Sequence, residues 1–202
     1  PLMNGLELCA KIKNNIEYSH IPVILLTAKV LPEAKVEGFS YGADAYVEKP
    51  FTILQLHMQI RNLLKLRTTF QQHMTSFLPD AKPEEKEEEE TGIQLTPQDQ
   101  EFIKKMQEII EQQLADESFS IDTLAAEMNM SRSNFYRKLK ALSGMPPNDY
   151  LKNCRLNKAA QLLKEGYRVT EVFERTGFGS SSYFAKCFKA KFGVLPKDYI
   201  SN

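Results

Sequence analysis

Residues 131–147, SRSNFYRKLKALSGMPP, return in altered form as residues 180–196, SSSYFAKCFKAKFGVLP, at an offset of 49. The alignment pairs Phe135 with Phe184, Leu139 with Phe188, Lys140 with Lys189, Gly144 with Gly193 and Pro147 with Pro196. A fixed offset of this kind means that one supersecondary unit is used twice, which rules out most folds before any other residue is read. Each copy follows a short amphipathic segment, IDTLAAEM in the first case and VTEVFERT in the second.

A short helix, a tight turn and then a serine-started basic helix form a helix-turn-helix pattern, here written twice. Ser131 and either Ser180 or Ser181 suit the N-caps of the two second helices, and Gly144 and Gly193 stand where left-handed C-caps are needed. Helical spacing buries Phe135, Leu139 and Leu142 in the first copy and turns Arg132, Ser133, Tyr136, Arg137 and Lys140 outward. In the second copy it turns Tyr183, Phe184 and Phe188 inward and Ser181, Ser182, Ala185, Lys186 and Lys189 outward. Between the copies, PNDYLKNCRLNKAAQLLKEG predicts one helix of about 18 residues, with Tyr150, Cys154, Leu156, Ala159, Ala160, Leu162 and Leu163 on its apolar side. At 1.5 Å per residue such a strut spans roughly 27 Å, close to the roughly 34 Å between successive major grooves.

The zero net charge of the chain hides a strong segregation. Residues 131–202 hold 14 Lys and Arg against 5 Asp and Glu, so one partner of this third is expected to be polyanionic, with double-stranded DNA the candidate. The stretch FLPDAKPEEKEEEETG has little to bury and reads as a solvated acidic linker over residues 78–95. It separates residues 1–77 from residues 96–202.

Before the linker the pattern alternates. NGLELCAKIKNN places Leu6, Cys9, Ile12 and Ile16 at helical spacing. IPVILLT is a short apolar run suited to a strand covered on both faces. PEAKVEGFSYG predicts a short helix closed by Gly42, ADAYVEK a second strand, and a long helix opens at Thr52. Helix, strand, helix, strand, helix is half of a doubly wound α/β sheet. The long helix carries Leu56, Ile60, Leu63, Phe70, Met74 and Phe77 near a 3.5-residue repeat, which suits either cover for its own sheet or pairing with a second copy. Ligands of open parallel sheets bind at the carboxyl ends of the strands. Thr27 and Lys49 fall at such ends, where a hydroxyl and an ammonium together suit a phosphoryl group.

PLMNGLEL, IPVILLTAK, GADAYVEKPF and the helix after them resemble, in order and spacing over residues 1 to about 75, the second half of a two-component receiver domain. The resemblance implies a flavodoxin-like sheet, phosphoryl contacts from Thr27 and Lys49, a switch rotamer at Tyr46 and a cis bond between Lys49 and Pro50. It also implies an acceptor aspartate and an acidic magnesium pair that residues 1–202 do not supply, so autonomous phosphorylation is not expected and magnesium belongs to the intact receiver alone. An uncovered inner edge at Ile21–Leu26 would make residues 1–75 poorly stable alone or prone to association.

Residues 96–202 resemble the AraC/XylS-type DNA-binding domain, an all-α fold of about seven helices, most specifically in RLNKAAQLLKEG and GFGSSSYFAKCFKAKFGVLPKDY. The resemblance implies base-edge readers Ser133, Tyr136 and Arg137 in the first unit and Ser181, Ser182 and Lys186 in the second. Arg132, Lys140 and Lys189 are implied phosphate contacts. Phe173 stands where the family has a small alanine, and Arg168 where an oxygen-bearing N-cap is usual, so the first unit is expected to supply more of the specificity.

The leading reading is a sequence-specific, cytoplasmic transcription regulator under phosphorelay control, the C-terminal end of a hybrid system with an upstream histidine kinase module. Other readings are a phosphotransfer protein using His57 or His73, and an interaction module without specific DNA binding. No catalytic residue is expected. Three dispersed cysteines, Cys9, Cys154 and Cys187, argue against a disulfide framework or a zinc site, and no apolar run approaches the roughly 18 residues of a spanning helix.

Overall fold

A computed structural model of the chain describes residues 3–28, 40–76 and 95–201. The linker expected at 78–95 lies almost wholly outside them, as do Phe77 and most of the helix expected at 32–42. Contacts divide the chain into residues 1–71 with 87–104, and residues 72–86 with 105–202.

In the first unit, α1 (Gly5–Lys13) opens on a reciprocal cap. Asn4 Oδ1 accepts from the Glu7 amide at 2.9 Å, and Glu7 Oε2 accepts from the Asn4 amide at 3.1 Å, which satisfies two donors that the first turn leaves free. Strands β1 (Ile24–Thr27) and β2 (Ala45–Glu48) are parallel, with Ile24 opposite Ala45 and Thr27 opposite Glu48. Ala45 and Val47 are buried and Tyr46 and Glu48 half-buried, the alternation that a strand's two-residue period produces. β1 begins three residues later than Ile21, which is itself 43% exposed. Helix α2 (Ile53–Ser76) starts at Thr52, whose hydroxyl accepts from the Gln55 amide at 3.1 Å. Of its expected apolar repeat, Leu56, Leu63 and Phe70 are half-buried while Ile60 is exposed. The side chains of Met74 and Phe77 lie outside the described residues.

Lys13 is a buried cation that periodicity did not reveal. Its ammonium pairs with Asp44 at 2.6 Å and donates to the Ile21 and Ser19 carbonyl oxygens at 2.9 and 3.3 Å, as a buried charge requires. Ser19 Oγ in turn donates to Asp99 Oδ1 at 2.8 Å. Asp99 lies in the first turn of α3 (Pro97–Gln113), so the division between the units falls inside that helix.

The second unit continues through α4 (Ile121–Glu127), α5 (Arg132–Ser143), α6 (Pro147–Lys164), α7 (Val169–Glu174), α8 (Ser181–Phe192) and a closing 3-10 helix, Pro196–Ser201. The α6 boundaries give the 18-residue strut that the sequence predicts, and all seven of its predicted apolar residues are buried. Among the described residues there are thus two parallel strands followed by an all-helical region, the α/β and all-α classes in the predicted order.

Candidate nucleic-acid interface

The first helix-turn-helix is α4 and α5. Ser120 Oγ accepts from the Thr123 amide to start α4, and Ser131 Oγ accepts from the Asn134 amide to start α5, both at 3.3 Å. Asn129 in the turn between them has φ 53, a left-handed conformation that asparagine tolerates better than most residues. Gly144, with φ 74, ends α5. Phe135, Leu139 and Leu142 form the buried stripe. Arg132, Ser133, Arg137 and Lys140 are exposed, whereas Tyr136 is half-buried rather than fully outward.

The second is α7 and α8. Ser180, not Ser181, is the N-cap of α8, accepting from the Tyr183 amide at 3.4 Å, and Gly193, with φ 81, ends the helix. Ser181, Ser182, Lys186 and Lys189 are exposed and Ala185 half-buried. Tyr183 corrects the sequence reading: it is 52% exposed. Phe178, 6.3 Å away between ring centroids, takes the inward place beside Phe184, from which it lies only 5.1 Å. Phe188 then stacks against Phe184, Phe192 and Tyr199 at 5.7, 4.5 and 5.2 Å. Phe173, expected to disturb the packing, joins this cluster 6.3 Å from Phe184.

Arg168 caps α7 without a side-chain bond, because a guanidinium has no acceptor to offer the free amides. Only the return half of the cap is made, from the Arg168 amide to Glu171 Oε2 at 3.0 Å.

Several polar contacts on these faces were not legible from spacing. Arg137 donates through Nε to the Ser133 carbonyl oxygen at 3.4 Å and through its terminal nitrogen to Asn134 Oδ1, so the side chain is held along the helix. Arg132 pairs with Asp122 at 2.9 Å between exposed groups, an arrangement worth little in stability. Lys138, between the outward residues in sequence, is fully buried. Lys191 reaches Asn157 Oδ1 and the Asn153 carbonyl oxygen on α6. Lys138 lies two positions from exposed Lys140, so a basic residue in these helices need not face outward with its neighbour.

In the first unit, Thr27 and Lys49 lie together at the carboxyl end of the sheet: the Lys49 amide donates to the Thr27 carbonyl oxygen at 2.6 Å, and Lys49 is exposed. The bond from Lys49 to Pro50 is cis. Tyr46 lies on β2 opposite Leu25, three residues before Lys49, and is half-buried. His57 is exposed on α2. Among the described residues no group of three or more His, Cys, Asp or Glu could hold a metal ion, and no helix is long and apolar enough to cross a membrane.

A parallel sheet segment followed by two helix-turn-helix units is the arrangement of a receiver-like α/β region joined to an AraC-type helix-turn-helix domain. Comparison with known proteins gives the same two parts: residues 1–61 match the response regulator receiver domain, and residues 124–202 match a helix-turn-helix domain. The chain is therefore a receiver segment joined to an AraC-type helix-turn-helix domain. It is 35% identical over 200 residues to a protein of Formosa agariphila named histidine kinase P4. It is 32% identical over 117 residues to the transcriptional regulator MtrA of Neisseria gonorrhoeae. The first match takes in 98% of this chain and the second 57%, while the chain spans only 14% and 38% of those relatives. Among solved structures, the C-terminal domain of the response regulator yesN from Fusobacterium nucleatum is 30% identical, with a TM-score of 0.47, over 50% of this chain and 98% of that one.

Proposed function

We propose that this chain is the output end of a phosphorelay regulator that reads DNA through α5 and α8 together. The observation that supports this most directly is the pair of capped helices with exposed basic faces, carried on one 18-residue strut. Ser133, Tyr136 and Arg137 read base edges from α5; Ser181, Ser182 and Lys186 read them from α8. Arg137 is suited to guanine, whose O6 and N7 a guanidinium meets together. Arg132, Lys140 and Lys189 hold phosphates and set register.

Residues 1–77, 78–95 and 96–202 act as receiver segment, acidic linker and DNA-binding domain. Thr27 and Lys49 contact the phosphoryl group of a receiver's acceptor aspartate, and Tyr46 answers to it. The match of nearly this whole chain to 14% of a relative named a kinase supports an upstream kinase module on one longer polypeptide. Pairing through the receiver and α2, and a cytoplasmic location, complete the reading.

The test is a binding titration of the 202-residue chain against duplexes recovered from a random pool, repeated over a series of salt concentrations. Tight binding that weakens steeply with salt is expected, since each phosphate contact releases a counterion. Binding that ignores both salt and sequence would leave an interaction module instead.

A further inference from the structure

Three segments remote in sequence meet around one arginine. Arg155, on α6, donates from one terminal nitrogen to the carbonyl oxygens of Asp116 and Phe119, each at 2.9 Å. Those carbonyls belong to the turn between α3 and α4, at the entry to the first helix-turn-helix. Gly177, in the turn before α8, lies against the same place. A Cβ there would collide with the Leu114 carbonyl oxygen and stand 3.0 Å from both Arg155 Nε and the Asp116 carbonyl oxygen. Gly177 also has φ 65, a conformation costly for any residue with a side chain. Two residues on, a Cβ at Gly179 would meet the Glu117 carboxylate. Arg155 Nε is itself buried with no hydrogen-bond partner among the described residues. Burial pushes the guanidinium's pKa down, with Asp116 and Glu117 opposing the shift.

This junction is the place where the turn of the second unit touches the entry turn of the first. Its direct contacts run through backbone carbonyls, a planar donor and glycine faces, which tolerate little change of geometry. A displacement there moves α8 relative to α5 while each unit keeps its own core. We propose that Arg155 is the positioning residue that sets the second helix-turn-helix against the first, and so fixes the spacing at which α5 and α8 meet a duplex. The inference rests on the reading of α5 and α8 as joint DNA readers, but its structural half can be measured without DNA.

The experiment uses the 202-residue chain in two arms. In the first, spin labels are placed at Lys140→Cys on α5 and Ala190→Cys on α8 in a Cys187→Ala background, and distance distributions are compared for the parent, Arg155→Met and Arg155→Lys. Lysine keeps the charge but has a point-like ammonium on a flexible stem in place of the planar fork. A broadened or displaced distribution in both variants, with helix content and cooperative melting retained, is expected. A distribution that superimposes on the parent's overturns the proposal.

In the second arm the unlabelled chains are titrated against a two-groove duplex selected with the parent, and against each half of it. Loss of about tenfold or more on the whole duplex, with each half bound as before, is the signature of lost coupling between linked modules. A parallel loss on whole and half duplexes overturns it, since general destabilisation acts in that way. Should Arg155→Met fail to fold, Gly177→Ala strains the same junction from the other side and is read by the same two criteria. A parent that binds no duplex at all overturns the DNA reading, and the distance arm then judges Arg155 alone.

Discussion

The two helix-turn-helix units share a backbone plan and almost nothing of the chemistry that builds it. In the first, aliphatic Leu139 and Leu142 follow a single phenylalanine along α5, and Ser120, Ser131 and Gly144 terminate the helices. In the second, Phe178, Phe184, Phe188, Phe192 and Tyr199 form a chain of ring contacts, and α7 starts on an arginine that cannot cap it. The turns differ too: the left-handed residue stands two positions before the N-cap serine in the first unit and three before it in the second. One fold can thus be held by aliphatic packing and good caps, or by aromatic packing that offsets a poor cap. The outward faces diverge as well, since a long guanidinium at Arg137 stands opposite Lys186, and Tyr136 opposite Ala185.

The comparison is most severely strained through the aromatic chain. Phe188→Ala is expected to cost about 3–5 kcal/mol in a urea melt, against about 2–5 for Leu139→Ala at the matching position. A smaller loss at Phe188 than at Leu139 would show that the second unit does not depend on its rings. The outward faces come next. Arg137→Ala should cost on the order of 1–3 kcal/mol on a selected duplex and relax preference at one base pair, with Lys186→Ala costing less. Equal loss on every sequence would make Arg137 a phosphate contact.

The strut shared by both units responds to pH. Burial pushes the Cys154 thiol up to about 12 from its ordinary 9.0, and Tyr150 one turn earlier is also pushed up by burial. The unfolded chain ionises the thiol first, so this contribution is whole below about pH 9 and is lost as pH rises towards 12. Unfolding free energies from urea melts at about pH 8 and about pH 10 should differ by roughly 1–2 kcal/mol in part because of Cys154, and Cys154→Ala should flatten that slope whatever it does to absolute stability. The smallest effect sharpens the contrast in caps. Arg168→Ser gives α7 the acceptor that Ser120 gives α4 and should stabilise by about 0.5–1 kcal/mol, read as a higher melting midpoint.

Much of this was legible because it depends on neighbours in sequence. The repeat located both units, the serines and glycines marked helix ends to within a residue, and the seven residues that periodicity put on the apolar side of α6 are all buried, though it missed Leu151. Reading failed where a side chain's direction is decided from another element. Tyr183 has the spacing of a core residue, yet Phe178 from the preceding turn already fills that place. Lys13 and Lys138 look solvent-facing by composition, and Lys13 is buried because Asp44, distant in sequence, and two carbonyl oxygens of the segment that follows its own helix receive it.

The sequence by itself determined the kinds of element, their order and their ends, because caps, turns and helical periodicity act over a few residues of chain. Only the tertiary structure decided which charges face outward and how the two units are set against each other. Those outcomes hang on partners far away in sequence, such as the carbonyls of Asp116 and Phe119 that receive Arg155, and no local pattern carries their geometry.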